Sequence, residues 1–127
     1  MEERSKPMST ILVVDDSPTV LKLVSKTLAT AGHHIMTANN GAEALTKATD
    51  THPDMVLLDV IMPHRNGYQV CRQLKNNAKT RDIKIILCAS QNQPADRFWG
   101  MQQGADAYLT KPLHEAELLA TIAQFLP

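Results

Sequence analysis

Short apolar runs alternate with amphipathic stretches five times along this chain. The apolar runs fall at about residues 10–14, 34–38, 54–59, 83–88 and 106–110. Those at 10–14, 54–58 and 83–88 are continuously apolar or nearly so. That is how strands buried on both faces read, in contrast to the alternation of a half-exposed sheet.

The segments between them carry helix signals. Ser17-Pro18 is an N-cap residue followed by proline at the first helical position. Val20, Leu21, Val24, Leu28 and Ala31 then recur at helical spacing, and Gly32 predicts the stop. Asn40-Gly41 opens a second helix and Asn66-Gly67 a third, the latter with Val70, Cys71 and Leu74 on its apolar side. A fourth is predicted from about Pro94 to Gln103, ending at Gly104, and a fifth over about 114–126. Five such strand–helix units predict an α/β fold with a parallel sheet, right-handed crossovers and helices on both faces. Residues 1–8 read as a frayed tail and 9–127 as one domain, which leaves no residues for a second.

Composition narrows the function classes. Lys+Arg and Asp+Glu are 13 each, so the net charge is zero and a basic nucleic-acid-binding face is not suggested. No apolar run approaches the roughly 20 residues of a membrane span. The polar start Met1-Glu2-Glu3-Arg4 has no signal-peptide core, so a cytoplasmic protein is expected. Cys71 and Cys88 sit in apolar stretches without metal-ligand spacing and read as small buried hydrophobes. The five histidines are scattered and read as surface residues; His64, in a loop, is the one placed to touch a partner or phosphate.

Three strand ends carry the candidate chemistry. Asp15-Asp16 closes the first run, Asp59 the third, and Lys111-Pro112 follows the fifth. In an open parallel sheet, ligands bind outside the carboxyl ends of the strands. Taken singly, each aspartate reads as a helix cap or loop carboxylate, and Lys111 as a solvated charge. Taken jointly, they predict a carboxylate cluster with one cation, suited to a hard divalent metal and a phosphoryl group.

These motifs resemble the receiver domain of bacterial two-component response regulators. The resemblance rests on Asp15-Asp16, on Asp59-Val60-Ile61-Met62-Pro63 with Gly67 further on, and on Tyr108-Leu109-Thr110-Lys111-Pro112. It spans residues 10–126. Asp96-Arg97-Phe98-Trp99-Gly100-Met101-Gln102-Gln103-Gly104-Ala105 is similar, more narrowly, to stand-alone receivers of twitching-motility and phototaxis pathways.

The resemblance implies a flavodoxin-like doubly wound (βα)5 fold with strand order 2-1-3-4-5. It implies Asp59 as the phosphoacceptor, and Mg²⁺ held by Asp16, Asp59 and the backbone carbonyl of Ile61. Asp15 would stand behind them, holding water at the metal, and Lys111 would neutralise the phosphoryl oxygens. A cis Lys111-Pro112 peptide is also implied. The expected partners are a sensor histidine kinase, chemotaxis type, and a downstream motility or relay protein, with no nucleic acid and no membrane. The expected chemistry is self-catalysed phosphotransfer and dephosphorylation rather than turnover of a substrate.

One position departs from the family pattern. Receivers carry Ser or Thr at the end of strand four, and spacing places Ala89 there. Either a small shift lets Ser90 reach the phosphate, or the hydroxyl is absent and switching is weak; the second is preferred, and it nudges the role toward phosphate sink or relay. Tyr108 matches the aromatic that swings in receivers, and reads otherwise as a half-buried strand tyrosine. Of the adjacent Phe98 and Trp99, Phe98 is expected in the core. Trp99 is expected partly exposed, on a partner surface with Met101 and Tyr108 or simply packed.

Other classes fit less well. An aspartate-nucleophile phosphatase of the haloacid-dehalogenase type needs Asp-x-Asp at its first strand end, whereas Asp15-Asp16-Ser17 stands here. A nucleotide-binding module lacks its G-x-G-x-x-G or Walker A loop. A DNA-binding regulator would need more residues.

Overall fold

The computed structural model describes residues 9–61, 66–90 and 94–126, with the side chains of residues 94–96 left out. The expected tail and the Met62-Pro63-His64 stretch of the loop lie outside the described residues.

Five strands form one parallel sheet: β1 (Thr10–Val14), β2 (His34–Ala38), β3 (Met55–Asp59), β4 (Lys84–Ala89) and β5 (Ala107–Thr110). Their order is β2-β1-β3-β4-β5. Five helices connect or follow them: α1 (Pro18–Thr30), α2 (Gly41–Thr51), α3 (Gly67–Lys75), α4 (Pro94–Gln102) and α5 (Glu115–Phe125). Each strand lies within a residue of its expected bounds.

Alternate strand residues supply two cores. On one face, Ile11, Val13, Leu57, Ile86 and Leu109 pack with Val24 and Leu28 of α1 and Leu118 and Ile122 of α5. On the other, Leu12, Val14, Leu58, Leu87 and Tyr108 pack with Ala44 and Ala48 of α2 and Val70, Cys71 and Leu74 of α3. The central strands are therefore apolar on both sides, as their sequences require.

Local chemistry sets the helix ends. The side chains of Ser17, Asn40 and Asn66 each accept a hydrogen bond from a backbone N–H three residues on. Gln69 returns a bond to the Asn66 N–H, completing a capping box. Gly32 and Gly104 both take φ +98°, the left-handed conformation that glycine adopts without a Cβ penalty. His52 ends α2 at φ 48° and meets Asp82 at 2.9 Å, a feature the sequence reading lacked. Lys75 reaches from α3 to Asp106 Oδ2 at 3.0 Å, and the same oxygen accepts from the Ile85 N–H. That network ties α3 to the starts of β4 and β5.

The expectation for Phe98 is overturned. Phe98 is 65% exposed and Trp99 56%. The cause is Gly100, whose absent Cβ would meet Leu87, Tyr108 and Tyr68 side chains at 3.0–3.2 Å. Helix α4 faces the sheet with this glycine, so Phe98, about 200° round the helix from it, points away from the core.

Candidate functional site

Strand order reverses between β1 and β3, because the chain leaves β1 for β2 on one side and returns to β3 on the other. Such a switch point opens a crevice at the carboxyl ends. Asp15 and Asp16 follow β1 there, and Asp59 ends β3. One carboxylate oxygen from each of the three lies within 4.8 Å of the others. Asp15 and Asp59 are buried, whereas Asp16 faces solvent.

Lys111 crosses from the end of β5. Its Nζ donates to Asp15 Oδ2 at 2.7 Å and to Asp59 Oδ1 at 3.1 Å. Its backbone N–H donates to the Ala89 carbonyl at 2.6 Å. The Lys111-Pro112 peptide is cis. Asp15 Oδ1 also accepts from the Ser17 N–H at 2.9 Å, so both its oxygens are engaged within the protein.

Charge in this crevice is finely balanced. Burial pushes the Asp59 carboxyl above its ordinary range and the Asp15 charge adds to that. The Lys111 hydrogen bond and the Ile61 N–H pull the other way. For Lys111, burial alone would lower the ammonium. The hydrogen bonds it donates to Asp15 and Asp59 outweigh it, leaving the group raised and charged. Burial drives the Cys71 and Cys88 thiols up to about 12, so neither is a thiolate at neutral pH.

Gly67 closes the floor of the site. Its N–H donates to the Val60 carbonyl at 2.7 Å. A Cβ there would collide with the Asp59 backbone oxygen and sit 2.9 Å from Val60 Cα. Ile61 is exposed at the rim.

The donor set is all hard oxygen and carries more negative charge than Lys111 neutralises. It fits Mg²⁺, which takes one or two carboxylates plus water and phosphate oxygens. Asp15 and Asp59 each already accept from Lys111 and from a backbone N–H, whereas Asp16 offers its carboxylate at the solvent-exposed side.

The remaining predicted residues are placed as follows. Ala89 is buried and contributes no hydroxyl. Ser90 lies past the end of β4 and is exposed. Tyr108 is buried, 4% exposed, with the Arg97 guanidinium 5.1 Å above its ring and bonded to its carbonyl at 3.2 Å. Met101, like Trp99, is exposed on α4. Thr110, not singled out from the sequence, has a buried hydroxyl oxygen with no hydrogen-bond partner among the described residues. Its place beside Lys111 was the available signal.

A doubly wound five-stranded sheet with an acidic crevice and one lysine at its switch point defines a class, to which its relatives in sequence and structure also belong. Residues 11–123 match the response regulator receiver domain, and the chain belongs to that family. It is 44% identical to protein PilH of Pseudomonas aeruginosa over 115 residues, covering 91% of this chain and 95% of that one. To protein PilG of the same organism it is 36% identical over 127 residues, covering 100% and 93%. Among solved structures, chemotaxis protein CheY4 of Vibrio cholerae superposes with a TM-score of 0.89 at 32% identity, covering 94% of this chain and all of that one. Receiver domains are phosphoacceptors of two-component signalling that bind Mg²⁺ at an acidic pocket, and among the described residues Asp15, Asp16 and Asp59 form such an acidic group. Among the described residues, no helix is long and apolar enough to cross a membrane.

Proposed function

We propose that residues 9–127 act as a response regulator receiver unit that takes its phosphoryl group on Asp59, from the phosphohistidine of a chemotaxis-type sensor kinase. The observation that carries this reading is the convergence of Asp15, Asp16, Asp59 and Lys111 at one switch point. An Asp59 carboxylate oxygen attacks phosphorus, the new O–P bond gives an acyl phosphate, and the N–P bond to the donor imidazole breaks. Little else is needed beyond positioning and charge neutralisation. Lys111, already 3.1 Å from Asp59, bonds the phosphoryl oxygens. Asp16, Asp59 and the Ile61 carbonyl would hold Mg²⁺, with Asp15 behind them, and the ion would supply counter-charge for the entering group. Hydrolysis returns Asp59 to its free form, so the protein turns over only its own phosphate.

Output runs through contacts with a downstream protein in the cytoplasm. Trp99 and Met101, exposed on α4 next to Tyr108 of β5, are the proposed contact surface. The likeness to PilH, PilG and a chemotaxis protein supports a role in motility or taxis. A second reading, phosphate sink or relay, is favoured by Ala89, because the strand end bears no hydroxyl of its own. That reading requires that no neighbouring group supplies the missing hydrogen bond.

Acetyl phosphate with Mg²⁺ tests the core of the proposal. Intact-mass and peptide analysis should show one labile phosphate on Asp59, absent from Asp59→Asn. Label at another residue, or steady release of p-nitrophenol from p-nitrophenyl phosphate, would favour a phosphatase instead.

A further inference from the structure

The hydroxyl of Thr110 is buried and, among the described residues, has no hydrogen-bond partner. Such groups are uncommon in folded proteins, and each calls for an explanation. Strand β5 places it well. Thr110 pairs with Ala89 in the parallel register of β4 and β5. Register partners project to the same face. Ala89 and Tyr108 both belong to the α2–α3 side of the sheet. Thr110, two residues beyond Tyr108, therefore shares that face with Ala89.

The next residue is Lys111, whose Nζ contacts Asp59 and whose N–H is bonded to the Ala89 carbonyl. The hydroxyl thus sits at the carboxyl end of β5, the end of the sheet at which Asp59 and Lys111 meet, one strand away from a methyl group that can supply no hydrogen bond. Adjacent strands are roughly 4.8 Å apart. One bridging water, with two hydrogen bonds of roughly 2.8 Å, spans that distance.

We propose that Thr110 is a phosphoryl-responsive positioning residue: in the phosphorylated state its hydroxyl donates toward the phosphoryl oxygens, directly or through one water, in place of the hydroxyl that Ala89 lacks. The donor has no competing partner among the described residues, so none of their hydrogen bonds must be broken before it engages. The proposal rests on Asp59 as acceptor. It argues against the sink reading, since the chain then has a polar group that senses the phosphate.

Thr110→Val keeps the shape and removes the hydroxyl; Thr110→Ser keeps the hydroxyl. Each is compared with the full wild-type chain for Mg²⁺ affinity, thermal midpoint, and affinity for beryllofluoride in saturating Mg²⁺ by fluorine NMR. The expected result is a beryllofluoride Kd weakened about tenfold or more in Thr110→Val. Mg²⁺ affinity should stay unchanged and the midpoint unchanged or raised. Thr110→Ser should restore most of the loss.

A Kd within twofold of wild type in Thr110→Val would overturn the inference while leaving Asp59 as acceptor. Equal losses of Mg²⁺ and beryllofluoride affinity would also overturn it, by assigning Thr110 a merely structural part. Wild-type protein that neither binds beryllofluoride nor acquires phosphate on Asp59 would overturn both readings together.

Discussion

Lys111 holds two buried carboxylates at once, and the consequences are energetic as well as chemical. Asp15 and Asp59 would repel each other without it. Its side chain is 21% exposed, so water screens part of the interaction. Replacing Lys111 with Met should lower stability by about 2 kcal/mol, below the 3–5 typical of breaking a fully buried pair. Urea unfolding at pH 7 in the absence of divalent ions measures this. The double variant with Asp59→Asn should recover part of the loss, because the like charges are then relieved; no recovery would mean that repulsion is not the cause. Lys111 was legible in the sequence only beside the three aspartates. Thr110 was not, since a threonine in a strand is ordinary and only burial without a partner sets it apart.

Among the elements, helix α3 is the one on which the site most depends. It begins at Asn66 and Gly67, and Gly67 touches the backbone of Asp59. Gly67→Ala would force its new Cβ against backbone atoms that cannot rotate away. The expected cost is about 1–3 kcal/mol, the range for overpacking, with slower labelling of Asp59 by acetyl phosphate. Denaturant melts and a labelling time course check both parts; an unchanged rate with reduced stability would separate the helix from the chemistry. Cap residues and turn glycines were readable because their signals are local. Ser17, Asn40 and Asn66 cap through their own side chains, and Gly32 and Gly104 turn through their own φ. His52 was not readable, since a left-handed histidine at a helix end has no local signature and its partner Asp82 is 30 residues away.

At the scale of the whole molecule, α4 stands apart. It meets the sheet through Gly100 and leaves Phe98, Trp99 and Met101 exposed. Such exposed apolar residues are unneeded for the core. Phe98→Ser and Trp99→Ser should each change stability by less than about 0.5 kcal/mol and leave Asp59 labelling intact. A loss of several kcal/mol in a denaturant melt would show that they pack. Binding of a downstream protein is where their removal should tell, because exposed aromatics concentrate interface energy.

By itself, the sequence determined the elements and the candidate site. Apolar runs mark strands buried on both faces, and aspartates or a lysine at three strand ends predict one crevice, because parallel sheets bind at their carboxyl ends. Tertiary structure alone decided what depends on distance between remote segments. It set Lys111 between Asp15 and Asp59, buried Tyr108 under Arg97, and turned Phe98 outward because α4 presents Gly100 to the sheet. It also left the Thr110 hydroxyl without a partner among the described residues, beside Ala89. Periodicity reports which face of an element is apolar, but close approach and hydrogen-bond satisfaction depend on neighbours that only folding supplies.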